Sequence, residues 1–221
     1  MNAFEEKTIA KAYDLLMDGD LKESARLFEK CREKYPDSIQ ILLELGNIYY
    51  ILGEMKKSVS YYNKALEYRP NSVYTLYRKG VALYRSTQFS EAVTVFNKIA
   101  ESGKKLPMTF LWMGLSYYHL GKEEESINAY RQLLEHCPET LMANYYMGVA
   151  LKSAGQYDEA IVFFEKLINK ADNHVSALYH LGRAYMKSFN YDKAKIYFKM
   201  AMDLDPENQN ASEMYGYVSN A

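Results

Sequence analysis

The chain has 221 residues, with 27 Lys and Arg against 28 Asp and Glu, and so a formal charge of −1. That balance excludes a sequence-wide attraction to nucleic acid or to an anionic lipid surface. No apolar run approaches the ~18 residues of a membrane-spanning helix, and the polar, acidic opening MNAFEEKTIA is not expected to act as a secretory signal.

Taken in chain order, one pattern repeats without a gap. Gly46, Gly80, Gly114, Gly148, Gly182 and Gly216 are 34 residues apart, and Ala12 holds the place one period earlier. A period of that length is the signature of stacked helix–turn–helix units. Units therefore begin at 5, 39, 73, 107, 141 and 175, with boundaries 5–38, 39–72, 73–106, 107–140, 141–174 and 175–208. Within each, a first helix is predicted over about places 2–14 and a second over about places 17–30. Residues 209–221 restart the pattern and stop, giving a lone first helix at the C-terminus. The whole of 1–221 reads as one solenoid domain.

Each recurring residue has a physical reason. Glycine at place 8 of a helix costs ~1 kcal/mol relative to alanine. Its recurrence implies an offsetting gain from close helix approach. Place 24 is always aromatic (Phe28, Tyr62, Phe96, Tyr130, Phe164, Phe198), and place 20 is always small (Ser24, Ser58, Ala92, Ser126, Ala160, Ala194). These are expected to form the other side of that contact. Gly19, Gly53, Gly121 and Gly155 at place 15 suit a left-handed helix end. Pro36, Pro70, Pro138 and Pro206 close four units, because proline cannot continue a helix.

With these places, the chain resembles the tetratricopeptide repeat family over residues 5–208, most closely in ELGNIYYILGEMKKSVSYYNKALEYRP (44–70) and HLGRAYMKSFNYDKAKIYFKMAMDLDP (180–206). The resemblance implies an all-α, right-handed superhelical solenoid, with 209–221 as a capping helix. Departures are Lys104 and Asp172 for the closing proline, Thr87 and Phe189 for the turn glycine, and Ile99, Leu133 and Leu167 where Ala65 and Ala201 stand elsewhere. The final helix carries Met214, Tyr215, Tyr217 and Val218, so it reads either as a cap or as an end that meets another molecule.

An α-helix advances about 100° per residue. Places 4, 7, 8 and 11 thus share the face that meets the second helix, and places 2, 5, 6, 9, 12 and 13 share the other. In the family that second face lines a concave groove that receives peptides. Here ten of the 22 tyrosines fall on it, more than twice what an even spread would give: Tyr13, Tyr50, Tyr74, Tyr77, Tyr84, Tyr118, Tyr145, Tyr146, Tyr179 and Tyr217. Leu43, Met108, Leu111, Trp112, Leu115 and Met142 join them. Tyrosine offers large contact area and a polar tip, which suits interfaces. The bland alternative is that many of these rings pack against neighbouring helices. Units three to six add Arg78, Arg85, Lys152, Arg183 and Lys187 to this face and no acid, whereas Glu6 and Glu44 lie in the first two units. A basic, tyrosine-lined groove favours a segment with acidic groups or a free carboxylate.

The expected groove residues are Tyr50, Tyr74, Tyr77, Arg78, Tyr84, Arg85, Leu111, Tyr118, Tyr145, Lys152, Tyr179 and Arg183. Family members that grip the C-terminal carboxylate of heat-shock proteins use lysine at place five and asparagine at nine, then asparagine at six, then lysine and arginine at two and six. Asn47 is the only asparagine at a ninth place, and its companions are Leu43, Arg78, Met108 and Trp112, so that clamp is absent.

Nothing points to catalysis, a metal or a cofactor. His119, His136, His174 and His180 have no paired ligand spacing, and Glu123, Glu124 and Glu125 open a helix, where carboxylates favour the dipole. Cys31 and Cys137 lie three periods apart, too far for a disulfide, and read as thiols in a cytoplasmic setting. The chain reads as a non-enzymatic scaffold or adaptor that binds an extended or helical, acidic segment of another protein. The alternatives are self-assembly through the C-terminal helix and a targeting subunit for an enzyme on another chain. Neither nucleic acid nor direct membrane insertion is expected.

Overall fold

The computed structural model describes residues 3–104 and 106–220, with side chains from Lys7 onward, so the Glu6 side chain and Ala221 lie outside the described residues. Among the described residues there are thirteen α-helices and no strand. They are α1 (Ala3–Met17), α2 (Leu21–Lys34), α3 (Ile39–Ile51), α4 (Met55–Tyr68), α5 (Val73–Arg85), α6 (Phe89–Glu101), α7 (Met108–His119), α8 (Glu123–His136), α9 (Leu141–Ser153), α10 (Tyr157–Ile168), α11 (Val175–Lys187), α12 (Tyr191–Leu204) and α13 (Gln209–Ser219). The first helix of a hairpin stops one place earlier than expected, because place 14 is its C-cap, as at Leu52, Ser86, Ala154 and Ser188.

Two compact units, Met1–Trp112 and Met113–Ala221, divide the chain within α7. In the first, each helix from α1 to α5 packs on the next, and α3 also touches α5. In the second, α8 to α13 pack in the same order, and α11 touches both α9 and α13. α3 and α5 in the first unit, and α9, α11 and α13 in the second, thus lie side by side, which is what gathers their outward residues onto a shared face.

The glycine row meets the aromatic row as its spacing predicts. A Cβ added to Gly46 would stand 2.6 Å from Tyr62, one on Gly80 2.5 Å from Phe96, one on Gly148 2.7 Å from Phe164 and one on Gly182 2.8 Å from Phe198; Gly114 meets Tyr130 in the same way. Real Cβ atoms do not approach that closely, so only glycine lets the ring lie against the backbone. The small residue at place 20 has a second role. Ser24 Oγ donates to the Ala12 carbonyl at 2.7 Å, Ser58 Oγ to that of Gly46 at 2.8 Å, and Ser126 Oγ to that of Gly114 at 2.9 Å. Each buried hydroxyl is satisfied by the backbone of the facing helix, which pins the hairpin at its closest point.

Place 15 is left-handed whatever residue occupies it: φ is 80° at Gly53, but also 61° at Thr87 and 59° at Phe189. Phe189 is in addition 80 % exposed. A side chain in this conformation costs roughly 1–2 kcal/mol. Phe189→Gly is therefore expected to raise stability by about 1 kcal/mol, somewhat less than the strain because glycine also widens the unfolded ensemble. Urea unfolding measures it, and a loss of stability would show that the ring makes a contact worth more than its strain.

Hairpins are also tied to one another. Glu29 of α2 accepts from the Tyr49 hydroxyl of α3 at 3.2 Å, from that of Tyr61 of α4, and from Arg32 Nε at 2.9 Å. Burial pushes the Glu29 carboxyl up, but the Tyr61 and Arg32 hydrogen bonds outweigh it and hold the group below its ordinary value. The second unit repeats the device. Glu165 of α10 accepts from the Tyr185 hydroxyl of α11, whose ring stacks on Tyr197 of α12 at 5.5 Å.

Candidate functional site

In the first unit, the outward face of α3 and α5 is organised around Asn47. Its Oδ1 accepts from the Tyr62 hydroxyl at 2.8 Å and from Arg78 Nε at 3.2 Å, and its Nδ2 donates to the Tyr74 hydroxyl at 3.2 Å. Arg78 Nε also lies 3.3 Å from the Tyr62 hydroxyl. The guanidinium groups of Arg78 and Arg85 sit 4.9 Å and 4.8 Å from the centre of the Tyr50 ring, within cation–π range. Tyr74 is 53 % exposed.

Beside it lies a second aromatic group. Trp112 Nε1 donates to the Tyr77 hydroxyl at 2.9 Å, and Tyr84 packs against Trp112 and Phe89 at 5.1 Å and 5.4 Å between ring centres. Tyr77 also meets the buried Phe96 ring at 6.3 Å. Leu111 does not belong to this surface. It is 3 % exposed and forms part of the core, so it offers nothing to a ligand.

In the second unit the outward residues of α9 and α11 meet. Tyr145 stacks on His174 at 5.0 Å and lies 5.9 Å from His180 and 6.4 Å from Phe164. His174 caps α11, its Nδ1 accepting from the Ala177 backbone N–H at 3.1 Å. Arg183 stands 5.9 Å from the centre of the Tyr179 ring, and Lys152 Nζ lies 3.4 Å from His180 Nδ1. Arg183 Nε is buried without a hydrogen-bond partner. Tyr118 is 37 % exposed, with His119 edge-on to its ring.

The electrostatics of this second cluster are one-sided. Burial, reinforced by Arg183, pulls the Lys152 ammonium down to about 8. Burial, then Lys152, Arg183 and His174, pull His180 down to about 3, so its ring is neutral across the physiological range. Among the described residues, no carboxylate pairs with Lys152, Arg183, Arg78 or Arg85. The structure thus joins Tyr50, Tyr74, Arg78 and Arg85 in one group, Tyr77 and Tyr84 in a neighbouring one, and Tyr145, Lys152, Tyr179 and Arg183 in a third. Sequence reasoning missed His174, His180 and the organising role of Asn47. His180 occupies place six of its unit, on the tyrosine-bearing face, and that position was the available signal.

Among the described residues, no group of three His, Cys, Asp or Glu is placed to hold a metal ion, and no helix is long and apolar enough to cross a membrane. Both cysteines are thiols.

No curated protein sequence matches the chain. Among solved structures it is similar to YrrB, described as a TPR protein with an unusual peptide-binding site, at TM-score 0.74 and 22% identity, covering 86% of this chain and 97% of that one. It is similar to MamA at 0.72 and 22%, covering 78% and 94%. It is also similar to PilW, a type IV pilus biogenesis factor, at 0.76 and 18%, covering 96% and 99%. At such identities these likenesses establish the fold alone. Tetratricopeptide repeat models match residues 8–38, 74–102 and 109–140, and a further one matches 151–216; a TPR repeat model matches 46–86. Those segments take in most of the chain and fall on its helical hairpins, and the chain belongs to the tetratricopeptide repeat family.

Proposed function

We propose that the chain is a non-enzymatic scaffold that binds a segment of a partner protein on the tyrosine-bearing faces of its odd-numbered helices. Proteins of this family generally mediate protein–protein interactions, and YrrB is described as having a peptide-binding site. The observation that carries the reading is the pairing of half-exposed tyrosines with cations that have no carboxylate partner: Tyr50 with Arg78 and Arg85, and Tyr179 with Arg183. Tyrosine and arginine dominate interface hot spots, because they bring large contact area and donors at modest entropic cost. Cations without a carboxylate partner favour an acidic segment. The two thiols fit a reducing, cytoplasmic setting.

The test is selection from a displayed random dodecapeptide library against the intact chain. Selected peptides are expected to lose about tenfold or more in affinity with Tyr77→Ala or Tyr145→Ala, with helical circular dichroism unchanged. Peptides that bind both variants as tightly as the wild type would place the site elsewhere.

A second reading, self-association through the C-terminal end, has its own observation. Tyr217 and Phe189 are 61 % and 80 % exposed, and with Met186, Lys187, Tyr191 and Met214 they line a groove of about 390 Å³. Sedimentation that stays monomeric with rising concentration excludes it.

A further inference from the structure

Lys152, His180 and Arg183 converge between α9 and α11 with no acid among them. Lys152 Nζ faces His180 Nδ1 at 3.4 Å, and the buried Arg183 Nε has no acceptor. The walls are aromatic. Phe164 and Tyr179 lie 5.9 Å and 5.5 Å from the His180 ring, with Tyr145 on a further side at 5.9 Å. A buried N–H donor left without a partner costs free energy, and so does a cation withdrawn from water beside another cation. Both costs are removed together by one group, an oxyanion that accepts from Arg183 Nε and from the Lys152 ammonium. We infer that Lys152, His180 and Arg183 form a subsite for a carboxylate carried by the bound segment. This rests on the peptide-binding reading for where the carboxylate comes from, but the subsite itself can be tested without a peptide.

Roles follow from the chemistry. Arg183 is the permanent cation and the directional donor. Lys152 supplies charge only while protonated, and it is pulled down to about 8 in the empty site. A carboxylate beside it favours the charged ammonium and so opposes that depression, and binding takes up a proton wherever Lys152 is partly neutral. His180, held neutral, accepts at Nδ1 from Lys152 and positions the ammonium. The charged and titratable groups facing Lys152 are Arg183 and His180, with His174 and Tyr145 next to them. None is an acid that could neutralise it from within the chain. The aromatic walls reduce competition from water, which strengthens each charge-assisted hydrogen bond.

The experiment titrates the intact chain with sodium acetate at constant ionic strength, following the Arg183 Nε–H and His180 ring resonances by NMR. Saturable shifts of both are expected at pH 7. With Lys152 titrating at about 8, acetate affinity should be about tenfold weaker at pH 9. Lys152→Met should abolish saturation, Lys152→Arg should restore binding without the pH dependence, and Lys199→Met on α12 should change nothing. Linear shifts, or the same saturation in Lys152→Met, would overturn the subsite and leave peptide binding intact. Saturation by inorganic phosphate but not by acetate would assign the subsite to a phosphoryl group and overturn the carboxylate. The library peptides supply the last arm. Replacing their glutamate by glutamine, or amidating their C-terminus, identifies which carboxylate enters. If neither change weakens binding, the subsite does not serve the bound segment; if no peptide is selected at all, the peptide-binding reading falls and the acetate result stands on its own.

Discussion

Gly148→Leu is expected to lower stability by roughly 3 kcal/mol or more, since overpacking of a filled contact commonly costs 1–3 kcal/mol and here the obstacle is a buried ring. The Cβ alone would meet Phe164 Cε1 at 2.7 Å and Cζ at 2.8 Å. Phe164 is fully buried, so it cannot swing into solvent to make room. For a chain of this size the melting temperature should fall by roughly 10 °C. Hydrogen exchange should quicken first in α9 and α10 and in the helices that touch them, because repeat stability is a near-neighbour property. Gly216→Ala is the matched control. It has the same phase, but among the described residues no atom outside its own helix lies within 4 Å of an added Cβ. There alanine should stabilise by up to about 1 kcal/mol through helix propensity alone. Equal melting temperatures for the two variants would show that the glycine row does not carry the helix contact.

Lys152→Met is expected to stabilise the fold at neutral pH. Lys152 is pulled from its ordinary 10.5 to about 8 by burial and by Arg183, so its charged form is disfavoured in the folded state. The sign follows from linkage. Below pH 8 the lysine is protonated both folded and unfolded, and the full penalty applies. Between about 8 and 10.5 the folded state has released the proton that the unfolded chain keeps, so wild-type stability rises relative to the variant. Above that window the penalty is gone. A shift of this size corresponds to about 3 kcal/mol. Because the group is partly exposed, screening reduces the expected gain to roughly 1–2 kcal/mol. Urea unfolding at pH 7 and at pH 11 measures it. A gain at pH 7 that disappears at pH 11 is the expected pattern, and a constant gain would trace it to packing instead.

Much of the hairpin was legible because its causes are local. Place 8 needs no Cβ, place 24 needs a ring and place 15 needs a left-handed backbone, and each requirement fixes one residue type at one spacing. Phe189 and Thr87 break the glycine rule at place 15 yet keep its φ, which shows that the turn is imposed by the two helices it joins. What was not legible depends on contacts between helices distant in the chain. Ser24, Ser58 and Ser126 read as merely small, since a hydroxyl's acceptor on another helix has no signature in the chain. Phase put Leu111 and Tyr77 on the same face, both at place 5. How far a neighbouring helix covers that face is set by packing, and it buries Leu111 while leaving Tyr77 partly open. Nothing in the sequence singles out Glu29. Its two tyrosine partners come from α3 and α4, and only the stacked structure brings them together.

The chain's single tryptophan has its indole N–H on the Tyr77 hydroxyl and its ring against Tyr84. An indole's emission depends on the polarity around it and on whether its N–H is engaged. A segment lying across Tyr77 and Tyr84 must displace water from that ring or compete for that hydroxyl, and either event changes the emitted colour. The second unit holds tyrosines and no tryptophan, so it has no indole of its own to report occupancy. A red or blue shift on adding a peptide therefore reports, without a label, a segment bound beside Trp112, while binding seen by calorimetry but absent from the fluorescence places the peptide away from that ring.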